Sequence, residues 1–461
     1  MSDIKRKPVS VIGMGYVGLC LSASLAKLNT PTICVDISEK RVQMINLGEG
    51  PIHEDQLPEL LKTGVEKGLI SATMDIEKAI LNSDITFICV GTPTSDSGYI
   101  DLSQIQTASH DIGNALKKKS TYHAISIKST VIPGTTDSHV IPIIEEESGK
   151  KAGKDFGVCM TPEFLREGAA IYDFLNPDKI VIGALDDRSY QAFYEVFQDF
   201  HESKIGKDVF LRCDLRTAEM IKYATNSFLA TKISFINEMA NLSALFGVDV
   251  KIISQALGMD NRISDKYLNA GLGFGGSCFP KDVKALLSAG IEAGYKSKLL
   301  DSTLLVNKDQ PYYPIIMLKK EIGEVKGKVI CLLGLAFKPG TDDIRFAPSI
   351  KVAKRLLEEG AKIKVYDPVA AENFMKESGI SLESSIIYCD SAKKALQDAE
   401  GVIIITEWEE FSKLKPNDFK QLMKNPIIID GRRALEPSTF ENTGVTLKGI
   451  GYSKSRKFAP K

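Results

Sequence analysis

A single thiol ends a glycine-rich run, Gly271-Leu-Gly-Phe-Gly-Gly-Ser-Cys-Phe-Pro-Lys-Asp282. Gly271, Gly273, Gly275 and Gly276 carry no Cβ, so the backbone can fold tightly there and approach a ligand closely. Cys278 follows, and Lys281 and Asp282 come within four residues of it, with Pro280 stiffening the turn between them. A thiol is a nucleophile as its thiolate, which nearby cations or convergent backbone N–H groups favour. A small buried core residue after a glycine turn is the competing reading of the same Cys. None of the five histidines falls in this run, so the chemistry is not expected to rest on a His base.

The elements that must position this thiol begin with a second glycine motif. Val9-Ser-Val-Ile12 reads as a buried strand that runs into Gly13-Met-Gly15-Tyr-Val-Gly18 and then into a helix with apolar periodicity. Strand, G-x-G-x-x-G, helix is the order of a dinucleotide fold, in which the glycines allow a tight turn and close approach to a pyrophosphate. The next strand, Thr32-Ile-Cys-Val-Asp36, ends in an acid that can accept hydrogen bonds from ribose hydroxyls and would repel a 2′-phosphate. NAD rather than NADP is therefore predicted. Further strands at 85–90, 124–128, 156–160 and 179–183 alternate with helices, which predicts a parallel sheet covered on both faces. Loops at Gly91-Thr-Pro-Thr94, Ser129–Thr136 and Thr161–Gly168 leave strand ends where such sheets bind ligands, although their Ser and Thr also suit helix caps.

From about Asp214 to Phe246 the chain is free of proline, with apolar residues every three or four positions. The pattern predicts one helix of about 50 Å at 1.5 Å per residue, a spine between domains or a dimer contact. Lys222 and Asn226 share one face of it and could stabilise an alkoxide; two solvated surface residues are the alternative. A second alternating region starts near Lys326, with strands at 328–334, 361–367, 401–406 and 426–430. Its first turn lacks G-x-G-x-x-G, and Lys338 with a neighbouring Arg could hold phosphate in place of backbone amides. The predicted fold class is α/β, with two Rossmann-type doubly wound domains joined by a long central helix in an all-α middle domain. The boundaries read are 1–212, 213–310 and 311–461, with two nucleotide ligands.

At 461 residues the chain exceeds one ordinary core, and 43% hydrophobic with 25% charged residues is a globular composition. A net charge of −1 gives no field to draw nucleic acid or an anionic membrane, and no apolar run reaches the ~18 residues of a membrane helix. The basic tail at 454–461 reads as a frayed terminus. Lys5-Arg6-Lys7 passes straight into the first strand with no signal-peptide pattern. Eight cysteines show no C-x-x-C pair and no framework spacing, so reduced thiols, a cytoplasmic setting and no metal site are expected.

Taken together, these motifs resemble the UDP-glucose/GDP-mannose dehydrogenase family of nucleotide-sugar 6-dehydrogenases. The resemblance covers nearly the whole chain. It rests on Gly13-Met-Gly-Tyr-Val-Gly-Leu19, Cys89-Val-Gly-Thr-Pro93, Ser129-Thr-Val-Ile-Pro-Gly-Thr135, Pro162-Glu-Phe-Leu-Arg-Glu-Gly168, Lys222-Tyr-Ala-Thr-Asn226, the Cys278 loop, Gly334-Leu-Ala-Phe-Lys338 and Asp430-Gly-Arg-Arg433. Members acting on N-acetylated UDP-sugars usually carry G-G-H-C where this chain has Gly275-Gly-Ser-Cys278. That implies UDP-glucose as substrate, with GDP-mannose or another UDP-sugar as the alternative and a non-catalytic NAD- and UDP-sugar-binding regulator as a remote one. Thr161 stands where the family often has Asn.

The resemblance implies an alcohol oxidised twice, to a carboxylate, with two NAD consumed per sugar. Cys278 would hold the aldehyde as a thiohemiacetal and then a thioester, while Lys222 and Asn226 stabilise the oxyanion. Asp282 and Thr130 would handle water, and Glu163 would act as base in the hydrolysis. For the cofactor it implies Gly13, Gly15, Tyr16, Val17, Gly18, Asp36, Thr92, Thr130, Glu167 and Arg345. For the nucleotide-sugar it implies Glu163, Phe164, Leu165, Lys222, Asn226, Phe274, Gly275, Lys338 and Arg432. Arg262 would reach in from a neighbouring subunit of a homodimer or higher homo-oligomer.

Overall fold

Short apolar runs flanked by Gly, Asp and Thr become strands here because they are buried on both faces: β1 (Val9–Ile12) exposes no residue. The computed structural model describes residues 6–95, 98–200, 209–381 and 385–452; the basic tail at 454–461 lies outside them. The chain divides into two compact units, one ending at Thr225 and the other beginning at Asn226.

In the first unit β1 is followed by β2 (Thr32–Val35), β3 (Ile70–Thr73), β4 (Ile85–Ile88), β5 (His123–Ile127), β6 (Phe156–Met160), β7 (Ile180–Ala184) and β8 (Phe210–Cys213). They lie in the order β3-β2-β1-β4-β5-β6-β7-β8. Val9 of β1 pairs with Thr32 on one side and Ile85 on the other, so the winding reverses at β1. Ligands of such sheets sit beyond the carboxyl ends of the strands at that reversal.

The alternation predicts a parallel sheet, but the sheet is not parallel throughout: β6 and β7 are antiparallel, with Met160 opposite Gly183. The helix between them, Ala170–Leu175, has six residues, about 9 Å at 1.5 Å per residue, too short to return the chain to the other end of the sheet. Residues 161–179 therefore begin and end at the carboxyl edge of β6, and the segment carrying Glu163 stays on the ligand side.

A buried polar chain crosses β1, β4 and β5. Ser10 Oγ is 2.7 Å from Thr86 Oγ1, Thr86 Oγ1 is 2.6 Å from His123 Nε2, and His123 Nδ1 is 3.1 Å from Ser83 O. A carbonyl can only accept, so Nδ1 carries the proton and Nε2 accepts from Thr86. Burial, and then the charge of Lys119, push the imidazole down to about 3.

The second unit pairs β9 (Val329–Leu333), β10 (Lys362–Tyr366), β11 (Ile386–Tyr388), β12 (Gly401–Ile404), β13 (Ile427–Asp430) and β14 (Thr446–Gly449) in the order β11-β10-β9-β12-β13-β14, all parallel. Its winding reverses at β9, the counterpart of β1. Gly334 after β9 has φ +95°, as Gly13 does after β1, and a Cβ there would lie 2.4 Å from Thr406 Cβ. Between the sheets in sequence stand five helices of eight residues or more and no strand, beginning with the spine Leu215–Phe246 of 32 residues.

The His123 geometry sets a pH dependence. The unfolded chain takes up a proton on His123 near 6.5 and the folded chain near 3, so this part of the stability is lost as pH falls through that window. Denaturant unfolding between pH 7 and 4 is expected to weaken more steeply in the native chain than in His123→Asn, which keeps a donor and an acceptor but does not titrate. Parallel pH curves for the two proteins would rule this account out.

Candidate active site

The glycine turn after β1 is built to receive a phosphate. Gly13 takes φ +95°, and a Cβ on it would lie 2.8 Å from Cys89 O. The helix Tyr16–Lys27 starts at Gly15 with no side-chain cap, and a Cβ at Gly15 would meet nothing within 4 Å. Its first N–H groups thus have no side-chain cap at the positive end of a helix, where anions are stabilised. Asp36, nearly buried, accepts from Met14 N–H and Ser38 N–H, both at 2.8 Å, which fixes the carboxylate at the edge of the turn. These residues fit a dinucleotide. Tyr16 and Val17 are half-buried on the turn, and Thr92 is buried after β4.

Glu163 and Lys222 form one buried pair. Lys222 Nζ donates to Glu163 Oε1 at 2.6 Å and to Glu163 O at 2.8 Å, with side chains 3% and 8% exposed. The alternative of a solvated Lys222 on a helix face therefore fails. Leu165 N–H donates to Glu163 Oε2 at 2.7 Å, and Phe164 turns its ring to Lys179 and Lys222. Burial raises the Glu163 carboxyl, but the charge and hydrogen bond of Lys222, the Leu165 N–H and Lys128 outweigh it and hold it below the ordinary carboxylate value. Glu163 is thus a carboxylate at neutral pH, able to take a proton, beside a cation able to meet an oxyanion.

In the second unit Cys278 is the N-cap residue of the helix Phe279–Glu292, with Pro280 in its first turn. The thiol is half-buried, 3.5 Å from Ser277 Oγ, at the end of a helix that favours negative charge. Five of the other seven cysteines are fully buried, and burial pushes the Cys20 and Cys89 thiols up to about 12. One turn on, Asp282 is buried and accepts from Asn226 Nδ2 at 2.6 Å. Lys281 Nζ lies 2.7 Å from Asp282 Oδ1, an ion pair by distance but off the line of a hydrogen bond. Asp282 Oδ1 therefore accepts no hydrogen bond from the described residues, and the Lys281 ammonium balances its charge.

The loop before Cys278 is shaped by packing. Gly276 has φ +80°, and a Cβ on it would lie 2.8 Å from the Phe337 ring; one on Gly275 would lie 2.6 Å from Phe346 O. Arg432, half-buried, donates to Ile405 O at 2.8 Å and reaches toward Gly273 O and Phe337 O at 3.4 and 3.5 Å, so it joins this loop to the turns after β9 and β12. Phe274 and Gly275 are buried in the loop, and Lys338 is half-buried beyond the turn after β9. Thr130 and Glu167 are half-buried in loops of the first unit. Arg345 and Arg262 are exposed, chelated by Asp343 and Asp260 two residues before each.

Several residues that hold the site gave no sequence signal. Asn237, Asn307 and Gln310 tie the glycine loop from helices: Asn237 accepts Gly271 N–H, Gln310 donates to Gly271 O, and Asn307 bonds both backbone groups of Phe274. In the first unit Lys128, buried, donates to Thr161 O at 3.0 Å with its ammonium 5.2 to 5.9 Å from the rings of Phe87, Phe174 and Phe197. Burial pushes this Lys down to about 8. Glu219 accepts Gly134 N–H and Thr136 N–H at 2.5 and 2.8 Å, tying the Thr130 loop to the spine helix. An Asn, Gln or Lys turned inward on a helix or strand reads in sequence as a polar surface position.

Removing one member of a buried ion pair leaves the other uncompensated, at a cost on the order of 3–5 kcal/mol. Glu163→Gln is expected to lose stability on that scale at pH 7. The Glu163 carboxyl lies below its ordinary value, so the pair contributes fully above about 4.5 and its contribution is lost as pH falls through the folded value. The gap between native and variant unfolding curves should therefore narrow below that pH. A gap that stays constant into acid would exclude the pair as its source.

Comparison with known proteins supplies the family. The UDP-glucose/GDP-mannose dehydrogenase profile matches as NAD binding domain over residues 7–201, central domain over 216–309 and UDP binding domain over 331–437. The chain is 44% identical over 425 residues to UDP-glucose 6-dehydrogenase AglM of Haloferax volcanii, covering 92% of this chain and 96% of that protein. It is 39% identical over 454 residues to UDP-glucose 6-dehydrogenase TuaD of Bacillus subtilis, covering 98% and 95%. Among solved structures, a UDP-glucose dehydrogenase from the archaeon Pyrobaculum islandicum superposes with a TM-score of 0.88 at 35% identity, covering 98% of this chain and 99% of that one. With an NAD turn after β1, a buried Lys–Glu pair and a thiol capping a helix, the chain belongs to the UDP-glucose/GDP-mannose dehydrogenase family.

Proposed function

We propose that this protein oxidises the C6 alcohol of UDP-glucose to the carboxylate of UDP-glucuronate through a thioester on Cys278. The observation that carries the reading is the buried Lys222–Glu163 pair one helical turn from Asn226, whose amide holds Asp282, itself one turn beyond Cys278. An ordinary alcohol dehydrogenase needs neither a thiol nor a base for hydrolysis. Bound NAD supplies the acceptor for one hydride in each of two oxidations. Gly13, Gly15, Tyr16, Val17, Gly18, Asp36, Thr92, Thr130, Glu167 and Arg345 are assigned to hold it.

Cys278 Sγ bonds to C6 of the aldehyde, and Lys222 and Asn226 donate to the oxyanion that forms. Oxidation of that adduct leaves a thioester. Glu163 takes a proton from water as its oxygen attacks, and the C–S bond breaks to return the thiolate. Asp282 and Thr130 hold the water. Lys338, Arg432, Phe274 and Gly275 hold the nucleotide-sugar together with Phe164 and Leu165. Its identity as UDP-glucose is supported by Gly275-Gly-Ser-Cys278 and by the names of the relatives.

The division at 1–212, 213–310 and 311–461 is part of the same reading, as is a cytoplasmic setting. The latter is supported by eight free cysteines; no described helix is long and apolar enough to cross a membrane. A homodimer is proposed from the spine, where Phe228, Phe235 and Leu242, seven apart, are exposed along one stripe. Arg262, exposed in the monomer, is assigned to the neighbour's site.

The native enzyme is expected to yield two NADH per UDP-glucose and none with GDP-mannose, read as absorbance against product. Ser is a poorer nucleophile and its ester a poorer acyl donor, so Cys278→Ser should stall with sugar attached by mass. Full turnover by Cys278→Ala at near-native rate would favour a hydrated aldehyde and overturn the covalent step. For the dimer, mixing Arg262→Ala with Cys278→Ala subunits is expected to restore activity, because one site per hybrid keeps both groups. An active monomer by light scattering would defeat that assignment.

A further inference from the structure

Glu54 lies in the first unit, between the helices Glu39–Asn46 and Leu57–Glu66, and is 4% exposed. Its Oε2 accepts Gly168 N–H at 2.8 Å, and its Oε1 accepts Ala170 N–H at 2.6 Å and Ile171 N–H at 3.4 Å. The same Gly168 N–H is shared with the hydroxyl of Tyr16, the first residue of the helix after the glycine turn. A carboxylate is tolerated in the interior when its oxygens are satisfied, and here Gly168 N–H and the first N–H groups of the helix Ala170–Leu175 satisfy them.

The loop that enters this helix runs from Glu163 to Gly168. At one end Glu163 is held by Lys222; in the middle Arg166 is clamped by Asp173 through its backbone N–H and its guanidinium. At the other end Gly168 takes φ +81°, a conformation that suits glycine, and is fixed by Glu54 and Tyr16. The proposed base and the dinucleotide turn are thus joined through five residues of chain and one shared N–H.

We infer that Glu54 is a positioning residue of the reaction, holding the 163–168 loop against Tyr16 so that seating a dinucleotide and placing Glu163 are coupled. This rests on the reading of Glu163 and the glycine turn given under Proposed function. Glu54→Gln keeps the volume but sets an amide N–H against a backbone N–H, which loosens the Gly168 end. A misplacement near 1 Å costs on the order of a hundredfold in rate.

The test uses the full-length protein with Glu54→Gln and, separately, Tyr16→Phe, which removes the shared hydroxyl alone. NAD binding is measured by calorimetry without sugar, and NADH formation by rapid mixing with UDP-glucose. Both variants are expected to bind NAD more weakly, by about tenfold for Glu54→Gln. Both should show an NADH burst followed by a slowed steady state, because the thioester waits for a displaced Glu163. Mere loss of folded protein lowers burst and steady state alike. Native NAD affinity in both variants, or a slowed rate with no burst, overturns the inference. If the native enzyme makes no NADH from UDP-glucose, the proposed function fails instead, and calorimetry alone then decides whether Glu54 acts on the turn.

Discussion

A lysine ammonium and a carboxylate, each out of water, stand 2.6 Å apart as Lys222 and Glu163. Either charge alone would be strongly disfavoured at that depth, so each is stable as an ion because the other is present. The constraint spreads outward. Lys222 must leave the spine helix at that height, and Glu163 must leave β6 in a loop that remains at the carboxyl edge. The antiparallel placing of β7 and the short helix Ala170–Leu175 satisfy that second condition. The pair also keeps Glu163 ionised, since the charge and hydrogen bond of Lys222 hold its carboxyl below the ordinary value.

In each unit, loops are fastened by buried carboxylates that accept backbone N–H groups. Asp36 holds the glycine turn at Met14, Glu54 the end of the Glu163 loop at Gly168, and Glu219 the Thr130 loop at Gly134 and Thr136. In the second unit Asp430 accepts from Arg432, Ala434 and Leu435, although burial raises its carboxyl. Hydrogen bonds to charged acceptors are stronger than neutral ones, and loops without a sheet or helix of their own gain most from them. Irregular chain is thereby held with the precision that a reacting site requires.

The second sheet repeats the winding of the first and departs from it at one carboxylate. Asp36 accepts two backbone N–H groups and lies 3.5 Å from Arg41 Nη1. Asp367, at the same place after β10, accepts from Leu335, Ala336, Val369 and Ala370 N–H and from Trp408 Nε1 at 3.0 Å. Its lone pairs are taken by the protein itself. The turn after β9 also lacks the glycine motif, and Arg432 reaches Phe337 O in it at 3.5 Å. The same topology thus carries a glycine motif at its winding reversal in one unit and none in the other.

The sequence by itself determined the two alternating regions, the spine helix and the glycine turns, because strand and helix periods and glycine turns are local properties of the chain. The helix predicted over 214–246 is observed at Leu215–Phe246, and the glycine turn, Asp36 and the Cys278 loop are legible where they stand. The edge strands β3, β8, β11 and β14 are not, because partly exposed residues blur the apolar run that marks a buried strand. Tertiary structure alone decided the rest: that Lys222 meets Glu163, that Asn226 meets Asp282, that β6 and β7 run antiparallel, and that Glu54, Lys128, Glu219, Asn237 and Asn307 face inward. A carboxylate or amide carries no mark in sequence of the partner that will neutralise or satisfy it. That partner lies tens of residues away, and the fold is what brings the two together.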